Sequence, residues 1–243
     1  MTDIGRPHQK EFEEKIEKIR SYLKISKRYN GYLPRPFFIE ITGSPSAGKT
    51  TTITELDKFL RRYDFRVLRP QEGAEVIRHI ERSTPLYNIR TGLYALQMLI
   101  DLSHGNLYDV VIFDRCMFDA YTWMMYWKDK EKLSEEEEKI IQSFFLSKFW
   151  MQNIDAAYFM VCDPKVAMER ELRVALTDKL GETTNPQSIE KLVGRYRKAY
   201  SDLSPEYPQL RLFDTTHLKE DTMIENIASD ILVSLEKKAE IHT

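Results

Sequence analysis

Apolar residues recur along this chain with two spacings, and the switching between them lays out its elements. Between residues 7 and 29, Phe12, Ile16, Ile19 and Leu23 recur among Lys, Glu and Arg, so one helix face is apolar and the other charged. Asn30-Gly31 suits the end of that helix, and Pro34 and Pro36 exclude helix before the next element. Phe37 to Thr42 is a short apolar run fit for a strand, and Ile53, Leu56, Phe59 and Leu60 return to helical spacing. Further strands are expected at 64–70, 108–114, 156–162 and 210–214. Helices are expected at 89–102, 116–127, 165–175, 189–200 and 220–237. Residues 71–80 read as a loop entering a helix, and 178–188 as a loop rich in Gly, Thr, Asn and Pro. Ser134 with Glu137 forms a capping box, which makes Glu135 to Glu138 a favourable first helical turn rather than a metal site. Strands alternating with helices predict a five-stranded parallel α/β sheet with helices on both faces.

The chemistry concentrates where the first strand meets its helix. Gly43-Ser44-Pro45-Ser46-Ala47-Gly48-Lys49-Thr50-Thr51 is Gly-x-x-x-x-Gly-Lys-Thr between a strand and a helix. A phosphate held there meets unpaired N–H groups and the positive end of the helix dipole. Gly43 and Gly48 let the backbone bend around the anion. Lys49 supplies charge to the outer phosphates, and the Thr50 hydroxyl can ligate Mg²⁺. Asp114, at the end of the Val110-Val111-Ile112-Phe113 run, stands where a nucleotide-binding protein places its metal-orienting carboxylate.

Composition narrows the reading. The chain has 243 residues, 42% apolar and 30% charged, with a net charge of −2. That charge gives no general attraction to nucleic acid or anionic membrane. No apolar run is long enough to span a bilayer, and the N-terminus has no apolar signal core. Cys116 and Cys162 are the only cysteines and carry no metal spacing, so both are expected to be reduced packing residues in a cytoplasmic protein.

Taken together, Gly43 to Thr50, Asp114-Arg115, and Asp163-Pro164 followed by Arg170 and Arg173 resemble the P-loop kinases of the nucleoside and nucleotide kinase group. The likeness spans residues 37–237. Asp114-Arg115, the Arg195-x-x-x-x-Tyr200 segment and Phe213-Asp214-Thr215 look like the thymidylate and deoxynucleoside kinases. Pro70-x-Glu72-x-Ala74 and Asp114-Arg115-x-x-x-Asp119 are similar to the ribosylnicotinamide kinase-like P-loop ATPases. The resemblance implies a P-loop NTPase fold over 37–243 and a lid around 165–200; the amphipathic helical extension over 1–36 lies outside the likeness and is expected to pack on its own domain, with a dimer or partner surface the alternative. It implies ATP- and Mg²⁺-dependent phosphoryl transfer to a nucleoside or nucleoside monophosphate. Lys49 and the loop would hold ATP, Thr50 and Asp114 the metal, Arg115 the acceptor, and Arg170 and Arg173, backed by Arg195 and Arg197, the γ-phosphate. Glu72 is the expected base for a hydroxyl acceptor, with Asp114 its rival. Tyr94, Gln97, Phe118, Tyr121 and Trp123 are expected around the acceptor, with Gln97 reading its base. Asp119 either binds a sugar hydroxyl or holds Arg115. Two other readings stay open: a regulatory P-loop ATPase that uses the N-terminal helix as its partner or dimer surface, and a kinase acting on a nucleic acid end or modified base. The weak net charge disfavours the last.

Overall fold

Every residue of the central strand is buried, because the strand is covered on both faces. In the computed structural model, which describes residues 9–28, 35–105, 107–174 and 185–241, that strand is β1 (Phe37–Gly43). It pairs in parallel with β3 (Val110–Asp114) and β4 (Ile154–Val161). Outside them lie β2 (Val67–Leu68) and β5 (Leu210–Asp214), giving the order β2-β3-β1-β4-β5. The chain turns one way from β1 to build β2 and β3, then crosses to the other side for β4 and β5. The carboxyl end of β1 is therefore a topological switch point, where open parallel sheets bind ligands.

The helices are α1 (Gln9–Arg28), α2 (Lys49–Arg62), α3 (Gly73–Val76), α4 (Pro85–Ser103), α5 (Met117–Asp129), α6 (Glu135–Phe145), α7 (Lys148–Met151), α8 (Pro164–Val174), α9 (Pro186–Leu203) and α10 (Glu220–Ile241). α5 is apolar nearly all round, and it packs among β1, α4, α6 and α9. α1 sets Ile16 and Ile19 into the core and lies against α10. The capping box of α6 is formed, with Glu137 N–H donating to Ser134 and Ser134 N–H donating to Glu137. Among the described residues no helix is long and apolar enough to cross a membrane.

Three expectations are corrected by local chemistry. The strand expected at 64–70 shrinks to Val67–Leu68; Asp109 takes the Arg66 N–H and guanidinium, so Arg66 joins the ladder only through its carbonyl, which accepts from the Asp109 and Val110 N–H groups. The helix after residue 72 lasts one turn, and Pro85 starts α4 four residues before its expected beginning. α7 was not foreseen, being too short to show a period. Asn30-Gly31 and residues 175–184 of the loop and lid fall outside the described residues.

Candidate active site

The turn leaving β1 depends on two glycines. Gly43 has φ 143°, and a Cβ there would lie 1.8 Å from the Met160 carbonyl oxygen, so β4 admits no side chain. Gly48, at φ 89°, is the left-handed residue that opens α2. Between them, Ser46 is also left-handed, at φ 54°. Lys49 folds back so that Nζ donates to the Ser44 carbonyl at 2.7 Å. Burial, and next the Arg115 charge, pull its pKa down to about 8 against the carboxylates of Asp114, Asp119 and Glu72. The Ser44 hydroxyl is buried without a partner.

The end of β3 faces this turn across the register pair Ile41 and Asp114. One carboxylate oxygen of Asp114 is buried without a partner, and burial raises its pKa although Arg115 and Lys49 oppose the shift. Arg115 follows in a left-handed conformation at φ 68°, which costs a non-glycine residue about 1–3 kcal/mol. Its N–H donates to the Ile41 carbonyl at 3.0 Å. Its guanidinium Nε lies 3.0 Å from Glu72 Oε1, an ion pair whose angle falls short of a hydrogen bond. Burial works against the Arg115 charge, but Asp119, Glu72 and Asp114 overcome it and leave the pKa above its ordinary value. The Glu72 carboxyl is raised, burial outweighing Arg115.

Sequence reading missed the group that holds this corner together. Glu40, fully buried in the middle of β1, accepts the N–H groups of Cys116 (2.9 Å), Phe118 (3.1 Å) and Asp119 (2.9 Å). It satisfies three of the otherwise unpaired donors of α5. Burial raises its pKa to about 7, the three amides pulling the other way and Asp119 adding to the rise. On the same helix, Asp119 Oδ1 accepts from the Thr42 hydroxyl and from the Tyr196 hydroxyl, the latter at 2.7 Å.

Two concavities flank the turn. Ser46, Gly48, Lys49, Thr50, Thr51, Arg170 and Arg173 line a hollow of about 630 Å³, closed by Leu218, Glu220 and Met223. On the other side, Gly43, Pro45, Glu72, Tyr87, Asn88, Arg115, Trp123, Tyr126, Trp127 and Tyr196 border a cleft of about 790 Å³, with Arg78 and Arg82 also on its lining. A smaller recess beside it takes in Asp114, Asp119 and Tyr94. Arg115 and Glu72 belong to both the cleft and the recess. Lys49, Thr50, Asp114, Arg115, Glu72 and Asp119 thus gather around the carboxyl ends of β1 and β3.

Other expected site residues lie outside the cleft. Gln97 is exposed and outside the cleft, because it lies nine residues along α4 from Asn88, half a turn out of phase. Phe118 is core, edge-on to Phe159 and Tyr207. Tyr121 lies outside both cleft and recess; burial, then Asp202 and Glu138, push its hydroxyl up to about 12. Arg170 is no free lid: its guanidinium donates to the Thr215 carbonyl (2.8 Å) and the Ser46 carbonyl (3.3 Å), tying α8 to the back of the turn. Arg195 pairs with Asp129 over the Tyr126 ring, and Arg197 pairs with Asp214. Arg173 is exposed at the edge of the hollow. Among the described residues no group of three His, Cys, Asp or Glu is placed to hold a metal. The open Asp114 oxygen and the exposed Thr50 hydroxyl suit instead a hard cation bound mainly by phosphates and water. Both cysteines are free and buried.

The strand order and the glycine turn define a P-loop protein with the fold of the nucleoside and nucleotide kinase group. The chain belongs to the AAA domain family, whose model matches residues 38–191. Among solved structures it is similar to deoxyadenosine kinase from M. mycoides with bound dCTP, at 18% identity and a TM-score of 0.56, covering 80% of this chain and 98% of that one. The same kinase with its products dCMP and a flexible dCDP matches at 17% identity and a TM-score of 0.58, with the same coverage. No curated protein matches the sequence.

Proposed function

We propose that the protein transfers the γ-phosphoryl group of ATP to a hydroxyl group of a nucleoside. The observation that carries this is the Glu72 and Arg115 pair, 3.0 Å apart, at the junction of cleft and recess beside the phosphate turn. Phosphoryl transfer asks mainly for positioning and charge neutralisation, and a hydroxyl acceptor asks in addition for a base. Glu72 combines a raised proton affinity with an ion-pair partner that holds its carboxylate in place.

Loop amides and Lys49 hold the donor phosphates, with the rest of ATP along the hollow toward Leu218 and Met223. Thr50 and Asp114 would hold Mg²⁺, which neutralises phosphate charge when bound. Glu72 takes the proton of the acceptor hydroxyl as its oxygen bonds to the γ-phosphorus. The bond from that phosphorus to the β-bridging oxygen breaks, and ADP leaves. Arg115 stabilises charge on the transferring group, while Arg170 fixes the turn and Arg173 reaches the phosphates from the rim.

Incubation with ATP, Mg²⁺ and a panel of nucleosides and monophosphates tests the reading. At least one nucleoside should gain phosphate, and ADP with free phosphate alone across the panel would refute it. Glu72→Gln should slow transfer about 10²- to 10⁴-fold. A second reading, a monophosphate acceptor, is favoured by Arg78 and Arg82 on the cleft lining. It needs no base, so Glu72→Gln would then leave the rate nearly unchanged.

A further inference from the structure

One wall of the cleft carries polar atoms that the fold leaves without partners. Tyr87 is buried and its hydroxyl has no partner, and the indole N–H of Trp123 is buried and also without one. Both side chains line the cleft. Asn88 lies beside them, buried to 7% exposure, with its Oδ1 accepting the Trp127 indole N–H at 2.8 Å. An indole nitrogen can only donate, so the atom facing it must be the amide oxygen. What Asn88 has left to offer the cleft is its NH₂ group. Trp123 can only donate, and the Tyr87 hydroxyl can turn to do so.

We infer that this wall reads the edge of the acceptor's base, and that it selects bases carrying exocyclic carbonyl oxygens over those carrying exocyclic amines. The inference rests on the nucleoside reading above and adds the chemical class of the base. A carbonyl oxygen set against the Asn88 amide and the Trp123 N–H gives both donors an acceptor, and the Trp123 N–H is buried without one in the fold. An exocyclic amine in the same place sets donor against donor, and discrimination of this kind is strong because the site's own polar groups go unpaired. The Trp123 ring, edge-on to Tyr126 at 5.1 Å, brings apolar surface to the cleft beside these donors.

Two matched pairs of nucleosides test this contact, since each pair shares its ring system and exchanges a carbonyl and its neighbouring ring N–H for an amine and a bare ring nitrogen: deoxyuridine against deoxycytidine, and deoxyinosine against deoxyadenosine. Calorimetric titration of the full chain, with no ATP present, should show the carbonyl member of each pair binding about 10- to 100-fold more tightly. Asn88→Asp keeps an acceptor for Trp127 and puts a second one into the cleft, so it should narrow or reverse the preference. Trp123→Phe keeps a ring and removes the N–H, so it should narrow the preference without reversing it, and it guards against misfolding of the Asp variant. Equal or tighter binding of the amine members overturns the inference, as does binding of none of the four. Carbonyl preference in binding without phosphoryl transfer would leave this inference standing and sink the kinase reading instead.

Discussion

At the scale of single residues, two buried ionisable groups set how the site responds to pH. Lys49 is depressed to about 8 in the free protein, so its ammonium is present below that pH and lost as pH rises through it. Bound phosphate stabilises the ammonium, so ATP binding takes up a proton above pH 8 and affinity should fall there. Calorimetric titration on either side of pH 8 in buffers of different ionisation enthalpy checks this, and a flat affinity would show Lys49 to be ordinary. Glu40 behaves in the opposite sense toward stability. Its carboxyl keeps a proton up to about 7 in the folded chain, against 4.5 for the free side chain. The stability this provides is complete below 4.5 and lost as pH climbs through 7, an amplitude on the order of 3 kcal/mol. Glu40→Gln, permanently neutral, should flatten the pH dependence of denaturant midpoints across that window. An unchanged slope would mean that another group carries it.

At the scale of elements, the phosphate turn is held from behind by the end of β5. The Thr215 hydroxyl lies 3.1 Å from the Ala47 carbonyl and accepts from Arg170 at 3.2 Å, so β5, α8 and the turn share one buried joint. Thr215→Val keeps the shape and removes those bonds, and it should weaken ATP binding about tenfold. Unaltered affinity in a folded variant would show the turn to be self-supporting. The same joint marks the limit of what could be read from sequence. Gly43 to Thr50 and Asp114-Arg115 were legible because their chemistry is local, each set by residues adjacent in the chain. Glu40 was not, since the amides it binds lie 76 to 79 residues away and a lone carboxylate in an apolar strand has no periodic signature. Arg170 was expected on the γ-phosphate because its type suits an anion, while the carbonyls that accept from it come from the end of β5 and the turn. On α4, Gln97 was expected near the base because of its residue type, while its place outside the cleft follows from helix phase, which residue type alone does not give.

At the scale of the whole molecule, chemistry and anchoring occupy opposite edges of the sheet. The carboxyl edge carries the strained Arg115, the unpaired Asp114 oxygen and the donors of the cleft wall; all cost stability, and a ligand can satisfy the last two. At the amino edge, Asp155 beside the start of β4 accepts from Arg35 at 2.7 and 3.1 Å, from Lys238 at 3.0 Å and from the Phe38 N–H at 2.8 Å. One carboxylate thereby joins the segment entering β1, β4 and the far end of α10. Burial lowers the Lys238 pKa to about 8 even with Asp155 opposing the shift, so the ammonium depends on that carboxylate to stay charged at neutral pH. Asp155→Ala removes the acceptor from two cations and an amide at once. Breaking a fully buried pair costs about 3–5 kcal/mol, and the loss here should be about 2 kcal/mol, because the cluster is only part-buried and Lys238 can shed its proton. The denaturant midpoint should drop accordingly with an unchanged slope, while ATP affinity at a temperature where the variant is folded stays at the parent value. The two readouts separate because no atom of the Asp155 cluster belongs to the phosphate turn or the cleft wall. A loss of ATP affinity matching the loss of stability would mean instead that strain at the amino edge reaches the turn through β1, and that the two edges act as one unit.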